Sequence, residues 1–155
     1  MVRLSDLPDF EARHLLAKNG ALPGPMPWVA DTRPASERRF VIITTAGIHP
    51  AGSAPFASND ASYRVLPGDA AADGFAMSHA SVNFDRSGFQ RDVNVVFPVD
   101  RFRELEESGQ IAGLASRHYS FMGAGLLPEA YEDTVTSLAG ILKQDRVDTA
   151  FLTPV

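Results

Sequence analysis

Short apolar runs alternate with longer amphipathic runs along most of the chain, and this alternation predicts an α/β fold. The clearest strand is predicted at Phe40–Thr45, a continuously apolar, β-branched run that ends in two threonines. The clearest helix is predicted over Glu129–Lys143, where apolar residues recur near one face. We therefore expect a mainly parallel sheet flanked by helices in a Rossmann-like three-layer arrangement.

The remaining segments extend this pattern over residues 1–155, which we expect to form a single α/β domain. Two more helices are predicted, over Leu4–Asn19 and Asp100–Ser108. Further strands are predicted at Tyr63–Leu66, Phe75–Ser81, Val93–Phe97, Ile111–Ser120 and Val147–Val155. Residues 1–39 would then form a helix and a proline-rich wrap over Gly20–Pro34, and residues 40–155 the sheet core.

Composition excludes several classes of function. The net charge of −5 and scattered basic residues argue against a nucleic-acid or anionic-membrane partner. The chain has no cysteine, which excludes disulfides, thiolate metal sites and a thiol nucleophile within these residues. Neither a signal peptide nor a membrane-spanning run is visible, so we expect a cytoplasmic protein.

The loop after the first strand is one candidate for a ligand site. It contains Thr44, Thr45, Gly47 and His49 among other small residues. Small residues let a ligand approach the backbone, and free amides there suit a carboxylate. A tight turn with a hydroxyl-capped end is an equally good interpretation.

Two central segments carry further polar candidates. His79 and Asp85 lie six residues apart and could orient each other, although a hydrogen-bonded loop explains them as well. Asp100 lies two residues after Pro98 and is predicted to be a helix N-cap. Arg101 could reach a substrate carboxylate, and Asn94 is a second polar candidate near that helix start.

The segment Arg117–Gly123 places His118, Tyr119 and Ser120 before a glycine-containing turn, where a ligand site is expected. A core aromatic pair with a hydrogen-bonded histidine is the alternative. The predicted catalytic residues, His49, His79, His118 and Asp85, would also provide a metal site. The sequence signal for this second interpretation, a metal-dependent enzyme, has low specificity, because the HxH and HExxH spacings are missing. The signal for a serine hydrolase is weaker still, since the chain has no GxSxG motif.

Five sequence blocks resemble one known family. They are TTAGIHPAGSAPF, SHASVNFD, DVNVVFPVDRFRELEESGQI, RHYSFMG and the terminal TAFLTPV. In this order they are similar to the selenoprotein B family of glycine, sarcosine and betaine reductases, which includes D-proline reductase subunits. The resemblance covers roughly Phe40–Val155, and FPVDR and HYSFMG are its most specific blocks.

In that family, a segment similar to LLTPV is followed by selenocysteine or cysteine, then by a further cysteine and a C-terminal helix. Selenocysteine is encoded by UGA, which is normally a stop codon. The resemblance therefore implies that this chain is the first part of a longer redox protein, cut before its reactive residue after Val155 and inactive as it stands. No cofactor is expected within the chain itself.

The resemblance also implies an activity and a site. The reaction would be reductive cleavage of a small amine or related substrate by a selenolate or thiolate, with a disulfide as acceptor and redox proteins as partners. His49, His79, Asp85 and His118 would shape the pocket and manage protons. Arg101 or the Gly47 loop amides could hold a carboxylate, with Thr44, Thr45, Asn94, Tyr119 and Ser120 nearby.

A third hypothesis is that the chain is a non-catalytic binding or assembly subunit. An α/β sheet without a helix over its last strand exposes apolar surface around Ala150–Leu152. We therefore expect a homo-oligomer, and strictly monomeric behaviour in light scattering would contradict this expectation.

Overall fold

The computed structural model describes residues 3–17, 29–81 and 85–155. The chain divides into two compact units, Met1–Thr32 and Arg33–Val155. In the first unit, a 3-10 turn at Leu4–Asp6 precedes helix α1, Asp9–Ala17. The predicted first helix is thus found in its central part, whereas its last residues and most of the predicted wrap lie outside the described residues.

The second unit holds the sheet and three helices. Its strands are β1 Arg39–Thr44, β2 Ile48–Pro50, β3 Tyr63–Pro67, β4 Phe75–Met77, β5 Gly113–Leu114, β6 Arg117–Phe121 and β7 Thr149–Thr153. Its helices are α2 Ser87–Arg91, α3 Val99–Glu107 and α4 Glu132–Gln144. Short 3-10 turns lie at Ala35–Glu37, Ala72–Gly74, Val93–Val95 and Pro128–Tyr131.

Strand β1 is the central strand, as its continuously apolar sequence predicts. It runs parallel to β7 on one side and to β5 and β6 on the other. Strand β3 pairs antiparallel with β6, and β2 and β4 form a separate antiparallel pair. The mainly parallel sheet confirms the α/β prediction.

Apolar clusters cover both faces of this sheet. Successive residues of β1 belong to different clusters, since Ile42 packs in the first and Val41 in the second. The first cluster includes Val99 and Phe102 of α3, and the second includes Leu138 of α4. The sheet therefore lies between helices, and its carboxyl end is left to loops.

The segment Val93–Phe97 is not a strand, and this prediction was wrong. The side chain of Asp92 accepts a hydrogen bond from the backbone N–H of Asn94 at 2.9 Å, which starts the 3-10 turn at Val93–Val95. Val93 in this turn and Val96 directly after it are buried, whereas Val95 is exposed. The apolar run reflected burial rather than extended backbone.

Asp100 is not the N-cap of the helix that follows, which corrects a second prediction. Helix α3 begins at Val99, with Pro98 in the capping position. The side-chain oxygen of Asn94 accepts from the backbone N–H of Asp100 at 3.0 Å. Asn94 therefore satisfies a donor of the first turn that the sequence pattern had assigned to an aspartate.

Three predicted strands are shorter or divided. The strand expected at Phe75–Ser81 ends at Met77, and the one expected at Val147–Val155 spans only Thr149–Thr153. The strand expected at Ile111–Ser120 is split into β5 and β6. In the described part of the chain, no helix is both long and apolar enough to cross a membrane.

Candidate functional site

Thr45 joins three segments at the carboxyl end of the parallel strands. Its backbone N–H donates to Thr153 at 3.1 Å, and its carbonyl accepts from Gly123 at 3.0 Å. Its hydroxyl oxygen accepts from the backbone N–H of Val155 at 2.9 Å. We call the segments 44–47, 120–123 and 153–155 the carboxyl edge.

Two glycines allow this close approach. A Cβ at Gly123 would lie 2.6 Å from the carbonyl oxygen of Thr45, which real side chains do not tolerate. Gly47 has a φ of +62°, and its missing Cβ leaves room for the backbone of His79 at 3.2 Å. The carboxyl edge therefore depends on small residues, as the sequence predicted for this loop.

A row of hydroxyl side chains crosses the sheet at the same level. Thr44 pairs with Ser120 on one side and with Thr153 on the other, so the three side chains share one face. The hydroxyl oxygens of Ser120 and Thr153 are buried, and no hydrogen-bond partner is found for them among the described residues. A buried hydroxyl group without a hydrogen-bond partner lowers stability, so these two hydroxyls indicate that the carboxyl edge has a role besides packing.

A cleft of about 350 Å³ opens beside Thr45 on the α4 side of the edge. Its lining is mainly apolar and comprises Thr45, Phe121, Met122, Gly123, Leu126, Pro128, Tyr131 and Val135. The hydroxyl of Tyr131 donates to the carbonyl of Met122 at 2.6 Å, and burial raises the pKa of Tyr131. This volume suits a small ligand.

The amides of the loop after β1 are already used inside the protein. Those of Thr45, Ala46 and Gly47 donate to the Thr153 carbonyl, the Thr44 hydroxyl and the Phe121 carbonyl, respectively. The expected role of the Gly47 loop amides in holding a carboxylate would break these bonds. The geometry thus favours the hydroxyls of Ser120 and Thr153, for which no partner is found among the described residues, over the amides as contacts for a ligand.

His79 lies against this loop, as predicted. It is 4% exposed and packs on Gly47, while the backbone N–H of Ala80 lies 3.3 Å from the sulfur of Met122. Burial, and then the charge of Arg86, lower the pKa of its imidazole. His79 is therefore a neutral side chain near neutral pH, next to the carboxyl edge.

Asp85 occupies a different environment from His79. Its exposed carboxylate accepts from the backbone N–H of Ser87 at 2.8 Å, and this bond lowers its pKa. This contact turns the chain into α2, so the interpretation as a hydrogen-bonded loop describes Asp85 well.

The ring of His49, on β2, lies between the hydroxyls of two serines that follow β2 and β4. Its Nε2 lies 2.7 Å from the hydroxyl of Ser78, and its Nδ1 lies 3.2 Å from that of Ser53. The ring is 5% exposed and meets Phe56 edge-on. His49 is thus connected through Ser78 to Gly47, whose carbonyl accepts from the Ser78 amide at 2.9 Å.

His118 lies at the start of β6, away from the carboxyl ends of the strands. Its Nδ1 accepts from the backbone N–H of Ile42 at 3.1 Å, where the break between β5 and β6 interrupts the ladder. The ring is fully buried and packs on Phe97, and a Cβ at Gly68 would lie 3.2 Å from its Nε2. Burial, and then the charge of Arg103, lower its pKa to about 4.

Tyr119 and Ser120 point to opposite faces of the sheet. Tyr119 packs in the second cluster, with its ring centroid 5.1 Å from that of Tyr63, and burial raises its pKa. Ser120 lies in the hydroxyl row with Thr44. Of the two, only Ser120 shares a face with that row.

Asn94 and Arg101 both lie near the start of α3. Asn94 donates to Asp92 and Asp100, and Arg101 forms an exposed ion pair with Glu104 at 2.8 Å. Within residues 3–17, 29–81 and 85–155, no three His, Asp or Glu side chains gather as a metal site. The structure thus does not support a metal site formed by His49, His79, His118 and Asp85.

Sequence reasoning missed several residues of this region. Thr153 was recognisable as a hydroxyl residue at the end of the apolar run Ala150–Leu152, but its partners depend on the register with β1. Ser78 carried no local signal, because its contact to His49 comes from the pairing of β2 with β4. Ser53 lies only four residues after His49, and its contact depends on the turn that follows β2. Tyr131 was missed because it lies within the predicted helix Glu129–Lys143, where nothing distinguished it from a packing residue.

Comparison with known proteins gives the family. The model of the glycine/sarcosine/betaine reductase selenoprotein B family matches residues 21–155. The chain belongs to this family. The match includes the carboxyl edge and all predicted site residues, and it confirms the resemblance read from the five sequence blocks.

A curated relative is consistent with this family assignment. D-proline reductase subunit gamma of Acetoanaerobium sticklandii is 33% identical over 131 residues, which are 83% of this chain and 53% of the relative. The chain thus spans about half the length of this relative. Both names denote reductase components, and the relative is a subunit of a larger enzyme. No solved structure matches the chain.

Proposed function

We propose that this chain is the scaffold of a cytoplasmic amino-acid or amine reductase, and that its carboxyl edge positions a redox residue following Val155. That residue would be selenocysteine or cysteine. The observation that carries the proposal is the hydrogen bond from the Val155 N–H to the Thr45 hydroxyl at 2.9 Å. It fixes the direction in which a longer chain leaves β7.

The surroundings of that position fit a nucleophile. Thr45 and Gly123 allow a close backbone approach, and the hydroxyls of Ser120 and Thr153 offer donors on the α3 face of the sheet, where Val155 also packs. Hydrogen bonds to a thiolate or selenolate favour its charged form. The ionised form is the one that attacks carbon, so the edge would activate the residue it holds.

The cleft beside Thr45 supports a small substrate. Its volume of about 350 Å³ lies at the lower end of the range for ligand pockets. We propose that the nucleophile attacks a carbon of a small amine or amino acid bound there, which forms a carbon–sulfur or carbon–selenium bond and breaks the carbon–nitrogen bond, so that the amine leaves. A cysteine further along the chain would then attack that sulfur or selenium; the carbon would leave with the bonding electron pair and take up a proton, and a disulfide or selenenyl sulfide would form. Partner redox proteins would reduce that bond and so regenerate the nucleophile.

One experiment tests the position directly. A variant extended by a single cysteine after Val155 should have a thiol pKa below the usual value of about 8.5, measured by alkylation rate against pH. The control carries the same cysteine behind a four-residue Gly-Ser spacer, and it should titrate near that usual value. Equal pKa values in both proteins would contradict the proposal.

The coding DNA offers an independent test. A UGA or cysteine codon directly after the Val155 codon, with an open frame beyond it, is expected. Any other stop codon at that place would remove the proposed redox residue while leaving the family assignment intact.

A non-catalytic assembly subunit is the second candidate. It is favoured by exposed apolar side chains on β7, where Phe151 is 40% exposed and Leu152 is 65% exposed. Such a surface on an outer strand is suited to covering by a partner. Light scattering of the protein and of Leu152→Lys would test it, since association that is unaffected by the substitution would count against this surface.

A further inference from the structure

Ser78, directly after β4, and His49 of β2 form a hydrogen-bonded pair that the redox proposal does not use. The serine hydroxyl lies 2.7 Å from Nε2 of the imidazole. Such a distance is within the range for a nucleophile and its general base. The pair is fixed by β2–β4 pairing, in which His49 faces Ala76.

The contact of the other ring nitrogen, Nδ1, indicates which tautomer of His49 is present. Nδ1 of His49 lies 3.1 Å from the carbonyl oxygen of Pro50, and a carbonyl can only accept. Nδ1 therefore carries the proton, and Nε2 presents its lone pair to the Ser78 hydroxyl. The Ser53 hydroxyl donates to the same carbonyl at 2.7 Å and lies 3.2 Å from Nδ1, so it helps to hold the ring.

Burial separates the roles of the two side chains. His49 is 5% exposed and its ring is fixed against Phe56, whereas Ser78 is only half-buried. The base is thus shielded from water, whereas the serine residue is partly open to solvent. The Ser78 amide donates to the Gly47 carbonyl at 2.9 Å, which fixes the backbone that carries the hydroxyl.

We propose that Ser78 is an acyl-accepting nucleophile with His49 as its general base, and that its substrates are small activated acyl esters. The Ser78 oxygen forms a bond to the acyl carbon while its proton moves to Nε2 of His49. The bond from the acyl carbon to the leaving oxygen breaks, and the leaving alcohol takes the proton from Nε2. Water then releases the acid by the reverse proton route.

The carbonyl of Pro50 takes the orienting position that a carboxylate has in a serine triad. It holds the Nδ1 proton but does not add a charge next to the imidazolium. We therefore expect acylation by activated esters, and slow turnover afterwards. The missing GxSxG motif does not bear on this arrangement, since nucleophile–base pairs are recognised by geometry.

The test uses p-nitrophenyl acetate and the unmodified chain. We expect a burst of nitrophenolate and a single acetyl group on Ser78 in peptide mass spectra. Ser78→Ala should abolish the burst, and His49→Gln should slow it by about 100-fold or more, which is the usual contribution of a general base. Ser137→Ala, which removes an exposed hydroxyl on α4 bonded to Asp133, should leave it unchanged.

Two results would overturn the proposal. One is acetylation of other residues with Ser78 unmodified in the folded wild-type chain, which does not depend on the folding of any variant. The other is a burst in His49→Gln as fast as in the wild type, with circular dichroism showing both proteins folded. Recovery of the burst in His49→Ala by added imidazole would support it. None of these results depends on a residue after Val155.

Discussion

The two ends of the parallel strands are held together by different chemistry. At the amino end, charged side chains bind backbone and each other: Asp148 accepts from the Arg39 amide and from Arg33, each at 2.9 Å, and Arg117 pairs with Asp145 at 2.8 Å. At the carboxyl edge, the contacts around Thr45 are made by backbone and hydroxyl groups.

The two ends therefore differ in the kind of contact that joins their segments. Partly exposed charged pairs join segments at the amino end, where a cavity of about 660 Å³ also lies beside Gly68, Arg103 and Ser116. Uncharged, small residues at the carboxyl edge leave the backbone approachable and the hydroxyls of Ser120 and Thr153 unused within the described chain. In open α/β sheets ligands bind at the carboxyl ends of strands, and the contact chemistry here follows the same division.

The largest effect is expected from Gly123→Ala at the carboxyl edge. A Cβ there would lie 2.6 Å from the Thr45 carbonyl oxygen, so backbone must move. We expect a loss of about 3 kcal/mol in the free energy of unfolding, the upper range for overpacking. Urea denaturation measures it.

Gly140→Ala is the matched control for that substitution. Gly140 lies on the exposed face of α4, and a Cβ there meets nothing within 4 Å. This change should stabilise the protein by about 0.5–1 kcal/mol, because alanine favours helix. Equal effects of the two substitutions would show that the close approach at Thr45 does not exist.

The next effect concerns His118, towards the amino end. Burial, and then Arg103, lower its pKa to about 4 in the folded state. Between pH 6.5 and 4 the unfolded chain therefore binds a proton that the folded chain does not, and stability falls as the pH falls. We expect a loss of about 2 kcal/mol between pH 7.5 and pH 5.

Urea denaturation at both pH values measures this loss, and His118→Gln provides the comparison. Glutamine can still accept from the Ile42 amide but does not titrate. The variant should therefore lose less stability at pH 5 than the wild type. An identical pH dependence in both proteins would mean that His118 is not the buried neutral group.

The sequence was most informative where structure is local. The apolar run of β1, the periodicity of α4 and the small residues around Gly47 all predict what is found, since each depends on neighbouring residues. The sequence predicted a site at the carboxyl end of the sheet, where these segments meet. Its Thr45 contacts were not predicted, because they combine residues more than 70 positions apart.

The grouping of three histidines could not be predicted correctly from sequence. The break between β5 and β6 places His118 at the start of a strand, whereas the prediction joined the apolar residues from Ile111 and the segment up to Ser120 into one strand. His49 received its partner Ser78 from β2–β4 pairing across 29 positions. Strand breaks and register are fixed by tertiary packing, so residue spacing alone gave the wrong neighbourhood.

A smaller effect is expected from Thr45→Val at the carboxyl edge. The change keeps the shape but removes the oxygen that accepts from the Val155 amide. We expect a loss of about 1 kcal/mol and faster hydrogen exchange of that amide. Thr45→Ser keeps the oxygen and should protect the amide as the wild type does. Unchanged exchange in Thr45→Val would remove the contact on which the redox proposal depends.

The smallest effect is expected from Arg117→Ala at the amino end. The guanidinium is exposed, and both oxygens of Asp145 lie 2.8 Å from one of its nitrogens, which raises the pKa of Arg117. Because water and salt screen such a pair, the melting temperature should change little at low ionic strength and not at all in 0.5 M salt, on the order of several times physiological ionic strength. A large, salt-independent drop would show that strand order at this end depends on the pair, and that the amino end is as sensitive to single contacts as the carboxyl edge.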